Sequence, residues 1–149
     1  MKPDRHSVSS LSECKVIDFP RHRHQRGSLT AVQNDDTLPF AIKRVFYIYD
    51  VPVGSERGGH SHFEMEELIV AAAGGFTVTL FDGRDTRRIS LNRPCEALYV
   101  PAGIWRVIDD FSSGSICLAL ASTNYDPDDY VYDYERYLSL TASKRENND

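Results

Sequence analysis

Residues 54–74, GSERGGHSHFEMEELIVAAAG, decide how the chain is read. His60 and His62 are separated by one residue. In an extended strand, where side chains alternate with period two, both imidazoles therefore leave the same face. Two rings pointing into one hollow can share a substrate or an ion. Glu67 lies five residues further on, at the start of an apolar run, so a following strand can carry its carboxylate toward the same hollow. Arg57-Gly58-Gly59, just before the pair, gives the strand a flexible, cationic start.

Outward from this stretch the pattern is of short segments rich in Val, Ile, Tyr, Phe and Thr. They are broken by Gly, Pro, Asp and Asn every eight to twelve residues or so, the cadence of a β-sandwich or barrel. Strands are expected over 28–33, 42–50, 58–62, 67–73, 76–81, 86–91, 96–100, 104–109 and 115–122. In the fifth of these, Phe76, Val78 and Leu80 fall on one face and Thr77, Thr79 and Phe81 on the other. Asp82-Gly83 then supplies a tight hairpin. Gly74-Gly75 is expected to reverse the chain in the same way. One helix is expected from Asp128, where Tyr130, Val131, Tyr134, Tyr137 and Leu138 recur at three- and four-residue steps behind Asp126-Pro127. The polar start (1–13) reads as a flexible arm, 14–140 as one domain, and 141–149 as a flexible charged tail.

The chain has 149 residues, 41% hydrophobic and 26% charged, as expected of one globular domain. Its net charge is −5 and it has no basic run, so nucleic acid is not an expected partner. The longest apolar stretch, Leu68–Phe76, is too short for the roughly 20 residues of a bilayer span, so no membrane association is expected. With no apolar secretory segment near the start, the expected location is the cytoplasm. Cys14, Cys95 and Cys117 are too scattered for a disulfide framework and read as structural thiols. His6, His22 and His24 sit in the polar N-terminal stretch, where Arg21-His22-Arg23-His24 reads as a solvated basic turn.

The spacing Gly54-x5-His60-x-His62-x4-Glu67-x6-Gly74 resembles the first conserved motif of the cupin superfamily, which implies an all-β cupin fold, a jelly-roll β-barrel, with a short C-terminal helix. Metal-binding cupins add a histidine from Pro-x-Gly-x2-His. Here Pro101-Ala102-Gly103-Ile104-Trp105-Arg106 places a permanent cation at that position, which repels a divalent metal. No metal is therefore expected; the alternative is a metal-dependent cupin enzyme using His60, His62 and Glu67.

The ordered set Arg26-Gly27-Ser28-Leu29, Pro39-Phe40-x-Ile42-Lys43-Arg44-Val45-Phe46-Tyr47-Ile48-Tyr49-Asp50, Arg57-Gly58-x-His60-x-His62, Leu98-Tyr99-Val100, Trp105, Asp110-Phe111-Ser112-Ser113 and Tyr125-Asp126-x2-Asp129-Tyr130 is more specific. Over about residues 14–140 it resembles the nucleotide-linked sugar 3,4-ketoisomerases. The resemblance implies conversion of a dTDP-4-keto-6-deoxyglucose to its 3-keto isomer without a cofactor, on a route to a 3-amino sugar. It also implies that His60 and His62 move the protons between C3 and C4, in either order, and a homodimer that exchanges an N-terminal strand, here near 28–33. Tyr47 is expected to face the pocket and bond the sugar or polarise its ketone. Arg57 is expected to hold pyrophosphate or an enediolate oxygen, with Arg26 and Arg44 as further diphosphate ligands. Trp105 is one candidate shelf for the thymine. Glu67 and Arg106 depart from the residues usual in these enzymes; they form a salt bridge across the cavity floor or alter substrate choice. A non-catalytic sugar-binding cupin is the remaining alternative.

Overall fold

The computed structural model describes residues 9–148. Its strands, in chain order, are β1 (Lys15–Asp18), β2 (His22–His24), β3 (Gly27–Leu29), β4 (Arg44–Ile48), β5 (Arg57–His62), β6 (Glu67–Ala73), β7 (Phe76–Phe81), β8 (Thr86–Leu91), β9 (Glu96–Val100), β10 (Trp105–Asp109), β11 (Ile116–Ala121) and β12 (Tyr130–Val131). The helix α1 (Tyr134–Asn148) follows. One five-stranded sheet has the order β1-β9-β6-β11-β4, the other β12-β5-β10-β7-β8, and β2 and β3 form a separate hairpin. Every pairing is antiparallel. From β4 to β12 the chain repeatedly crosses from one sheet to the other, which is the expected jelly roll.

The core between the sheets follows from alternation. Ile69, Ala71, Leu98, Val100 and Cys117 enter from the first sheet and meet Phe76, Val78, Leu80, Leu91 and Ile108 from the second. The outer face of the second sheet is covered by α1, whose fully buried Tyr137 packs with Phe63, Trp105 and Val131. The Tyr137 hydroxyl lies 3.0 Å from the carbonyl of Phe81 and 2.8 Å from that of Gly103. Burial raises its pKa to about 12, so it remains a neutral phenol.

Several boundaries differ from the sequence reading. Gly74-Gly75 is a corner between sheets, not a hairpin, and a Cβ on Gly74 (φ 62°) would run into the Ser112 hydroxyl. The stretch 21–24 contains a strand, β2, and only 27–29 of the expected 28–33 strand is extended. The helix starts at Tyr134, not near Asp128. Asp126 and Pro127 start a single 3-10 turn, Tyr130 and Val131 pair with His62 and Ser61, and Asp133 then accepts the backbone N–H groups of Glu135 and Arg136. Residues 141–148 belong to the helix and are not a loose tail: Thr141 is buried, and Arg145 donates to the carbonyl of Asp82 at 2.8 Å. Of the expected arm, residues 1–8 lie outside the described residues. Residues 11–13 form a capped 3-10 turn, where Leu11 N–H reaches the Asp82 carboxylate at 3.2 Å.

Candidate active site

Strand β5 runs between β12 and β10, and its period turns both histidines toward the interior. Nε2 of His60 lies 3.0 Å from Nε2 of His62, with the rings edge-on at 86°. His62 is fully buried and His60 partly so. The ladder to β10 slips at this point: Arg106 stands opposite His60, but Ile108 stands opposite Arg57. This bulge in β5 is made by Gly58 at φ 89°, a backbone that side-chain-bearing residues rarely adopt. The extra residue lets β5 keep its pairing while His60 is aimed inward.

Beneath the pair lies Arg106, with no exposed surface. It donates to Oε1 of Glu67 at 3.2 Å and to the carbonyl of Ile104 at 2.9 Å. One wall is aromatic. The Tyr130 ring is 4.3 Å from that of His62, and Tyr132 stacks on Tyr130 at 5.3 Å while lying 5.9 Å from His60. Arg44 donates to the Tyr130 hydroxyl at 3.2 Å and lies over the rings of Phe46 and Tyr125. Behind His62, Oδ2 of the buried Asp129 is 3.4 Å from Nδ1. The same carboxylate accepts the backbone N–H groups of Glu64 (2.8 Å) and Met65 (3.1 Å), which fixes it at the end of β5.

Both imidazoles are held well below the usual imidazole pKa. Burial is the main cause for each, followed by the Arg106 cation; His62 acts next on His60, and Arg44 on His62. The resting pair is thus neutral at physiological pH, with nitrogen lone pairs available to take a proton. A pKa near neutrality, as expected for an exposed histidine, is displaced first because the pair is buried and then because it faces the Arg106 cation.

The structure gathers His60, His62, Arg44, Glu67 and Arg106, and it forms the Glu67–Arg106 salt bridge. Other expected residues lie elsewhere. Tyr47 is 59% exposed on the outer face of β4, because Arg44 and Phe46 take the inward positions and parity excludes Tyr47. Trp105 precedes the inward Arg106 and so faces outward, under α1, at 5.2 Å from Tyr134 and 5.4 Å from Tyr137. It cannot serve as a thymine shelf there. Arg57 is exposed at the start of β5, within reach of solvent. Arg26 is exposed at the turn of the β2–β3 hairpin, which pairs with neither five-stranded sheet. Glu67 does not join the histidines as a third ligand, since its oxygen accepts from Arg106. Among the described residues no group of three or more His, Cys, Asp or Glu side chains is arranged to hold a metal ion. The residues that sequence reasoning missed are Asp129 and Tyr130. Their signal was the run Tyr125-Asp126-x2-Asp129-Tyr130, which the sequence carries but to which no site role was given.

The family model FdtA, described as WxcM-like, C-terminal, matches residues 12–142. The chain is 39% identical over 130 residues to the TDP-4-oxo-6-deoxy-alpha-D-glucose-3,4-oxoisomerase of Aneurinibacillus thermoaerophilus, covering 87% of this chain and 94% of that protein. It superposes on a 3,4-ketoisomerase from Helicobacter canadensis with a TM-score of 0.84 and 37% identity, over 87% of this chain and 98% of the other. A mutant of the 3,4-ketoisomerase QdtA from Thermoanaerobacterium thermosaccharolyticum, crystallised with TDP-4-keto-6-deoxyglucose, superposes with a TM-score of 0.87 and 31% identity, over 91% and 98% of the two chains. With a family model spanning most of its length and relatives matched nearly end to end, the chain belongs to the FdtA family and is a 3,4-ketoisomerase.

Proposed function

We propose that the protein converts dTDP-4-keto-6-deoxyglucose to a dTDP-3-keto-6-deoxyhexose, with His60 and His62 moving the protons. The observation that carries this reading is the pair of imidazoles on β5, their Nε2 atoms 3.0 Å apart, with Arg44, Tyr130 and Tyr132 around them. The C4 carbonyl acidifies the C3 hydrogen. An imidazole nitrogen takes that hydrogen as a proton, and the C3–H electrons form the C3=C4 bond of an enediol. The carbonyl electrons move onto O4, which takes a proton to complete the enediol; C4 then receives a proton in place of the one C3 lost, and the O3 hydroxyl gives up one in place of the one O4 took, so the ketone ends at C3. The reaction is redox-neutral within one molecule, and acid-base groups suffice for it. Burial ranks the two rings. His60, partly exposed, meets the sugar, and His62, wholly buried behind it, exchanges the proton with His60.

Charge and shape supply the rest. Arg44, at the rim with Tyr130, stabilises the enediolate oxygen or a phosphate through its planar fork. Arg57, exposed where β5 begins, is placed to meet the pyrophosphate. Tyr125, Tyr130 and Tyr132 offer flat surfaces for sugar and base. Arg106 and Glu67 form the floor; burial first, and the Arg106 cation second, hold the imidazoles unprotonated. The active form is a homodimer with an exchanged N-terminal strand. This is supported by the β2–β3 hairpin, which pairs with neither five-stranded sheet, and by a groove of about 740 Å³ between Arg23 and Ser28 of that hairpin and Val70, Leu118 and Leu120 of the first sheet. Metal-stripped protein incubated with dTDP-4-keto-6-deoxyglucose is expected to give the 3-keto isomer, identified by NMR. Turnover that vanishes with chelation and returns with a divalent metal would support the metal-dependent alternative instead, and binding without conversion would leave a sugar-binding cupin.

A further inference from the structure

The proton inventory of the histidine pair is short by one. Reading outward from the middle, Nε2 of His60 faces Nε2 of His62 at 3.0 Å, and this contact needs one proton between them. At the far end Nδ1 of His62 faces Oδ2 of Asp129 at 3.4 Å and has no hydrogen-bond partner of its own, in a side chain with no exposed surface. At the near end the backbone of Gly58 bonds to His60 and favours its protonated form. Carbonyl and carboxylate oxygens only accept, so the row from Gly58 to Asp129 is satisfied by three protons. Two neutral imidazoles carry two.

We propose that Asp129 is a positioning residue for proton transfer: its carboxylate fixes the resting proton of His62 on Nδ1 and shares the charge when the pair gains a third proton. This rests on the ketoisomerase reading and deepens it. With Nδ1 of His62 protonated, its Nε2 is a bare lone pair that accepts from Nε2–H of His60. The remaining nitrogen of His60 is then the one without a proton. The pair gains its third proton when the C3–H bond breaks and its electrons enter the enediol, and the departure of a proton to C4 restores the resting state. No atom is gained or lost over the cycle. Arg106 from β10 and Arg44 from β4 press the pair toward neutrality, Glu67 of β6 is occupied by Arg106, and Tyr130 presents its ring edge. Asp129 is therefore the carboxylate that faces an imidazole nitrogen of this pair among the described residues. The two backbone N–H groups on the same carboxylate hold it in place whether or not the pair is charged.

The test is nitrogen NMR of the full chain with labelled histidine side chains at neutral pH. His62 is expected to be neutral, protonated on Nδ1 and bare on Nε2. A proton on Nε2 with Nδ1 bare overturns the proposal. Asp129→Asn places an amide donor against Nδ1 and is expected to flip the tautomer, lowering kcat about 10²-fold or more with KM within about threefold. A folded Asp129→Asn protein with kcat within threefold of the parent also overturns it. Should that variant fail to fold, because its amide meets the Met65 N–H, the parent spectrum alone decides. A parent protein with no isomerase activity defeats the functional reading, whereas the wrong tautomer in an active enzyme defeats the role of Asp129 alone.

Discussion

Moving two residues along β10, from Arg106 to Ile108, takes the interior of the barrel from a buried guanidinium to an aliphatic core. Strand β6 makes the same change from Glu67 to Ile69 and Ala71, and β4 makes it from Arg44 to Ile48. One end of the barrel is thus charged and the other apolar, on the same strands. At the apolar end neighbours interchange with modest consequences for chemistry, and burial of hydrocarbon stabilises the fold. At the charged end buried groups cost free energy unless each finds a partner, and the pair Arg106–Glu67 shows how that cost is contained. Stability and catalysis are therefore separable along the barrel axis.

Substitutions at the two ends should fail in different ways. His60→Asn is expected to lower kcat by about 10²–10⁴, the range for a positioned acid-base group. Its unfolding free energy should stay within about 1 kcal/mol of the parent, since the residue is only partly buried. Comparable loss of both quantities would erase the distinction. Leu98→Ala, at the apolar end, is expected to cost about 2–5 kcal/mol in denaturant unfolding while leaving kcat per folded molecule within about twofold. The smallest effect is on pH. Both imidazoles are neutral when folded, yet in the unfolded chain they take protons near their ordinary value of 6.5. The unfolded state thus binds more protons below that value, so Tm should fall as pH drops from 6.5 toward 5. His60→Asn with His62→Asn should flatten that slope. A slope unchanged in the double variant would mean that other groups set it.

Much of this was legible before the structure. Strands 67–73, 76–81, 86–91 and 96–100 match the sequence reading residue for residue, because short apolar or alternating runs bounded by turn residues leave little choice of limits. The histidine pair was legible for the same reason. Parity also shows where the reading overreached. Arg44 and Tyr47 are an odd number of residues apart on one strand, as are Trp105 and Arg106, so neither pair can share a face. The bulge at Gly58 left no mark beyond a glycine among glycines. Asp129 and Tyr130 were hidden because a two-residue strand has no period to detect, and the tyrosine spacing ran on into the true helix. The exposed hairpin β2–β3 carries no apolar stripe, and the same polarity that marked it as a turn is what an unburied strand shows.

The central claim is that the imidazole pair takes a proton from C3 of a 4-keto sugar and, after exchange with solvent, returns one to C4. The most direct measurement is NMR of the product formed from dTDP-4-keto-6-deoxyglucose in deuterated buffer. Deuterium at C4 of a 3-keto product is the expected result. Recovery of the unchanged 4-keto sugar without label, or label introduced at C5 instead, would contradict it.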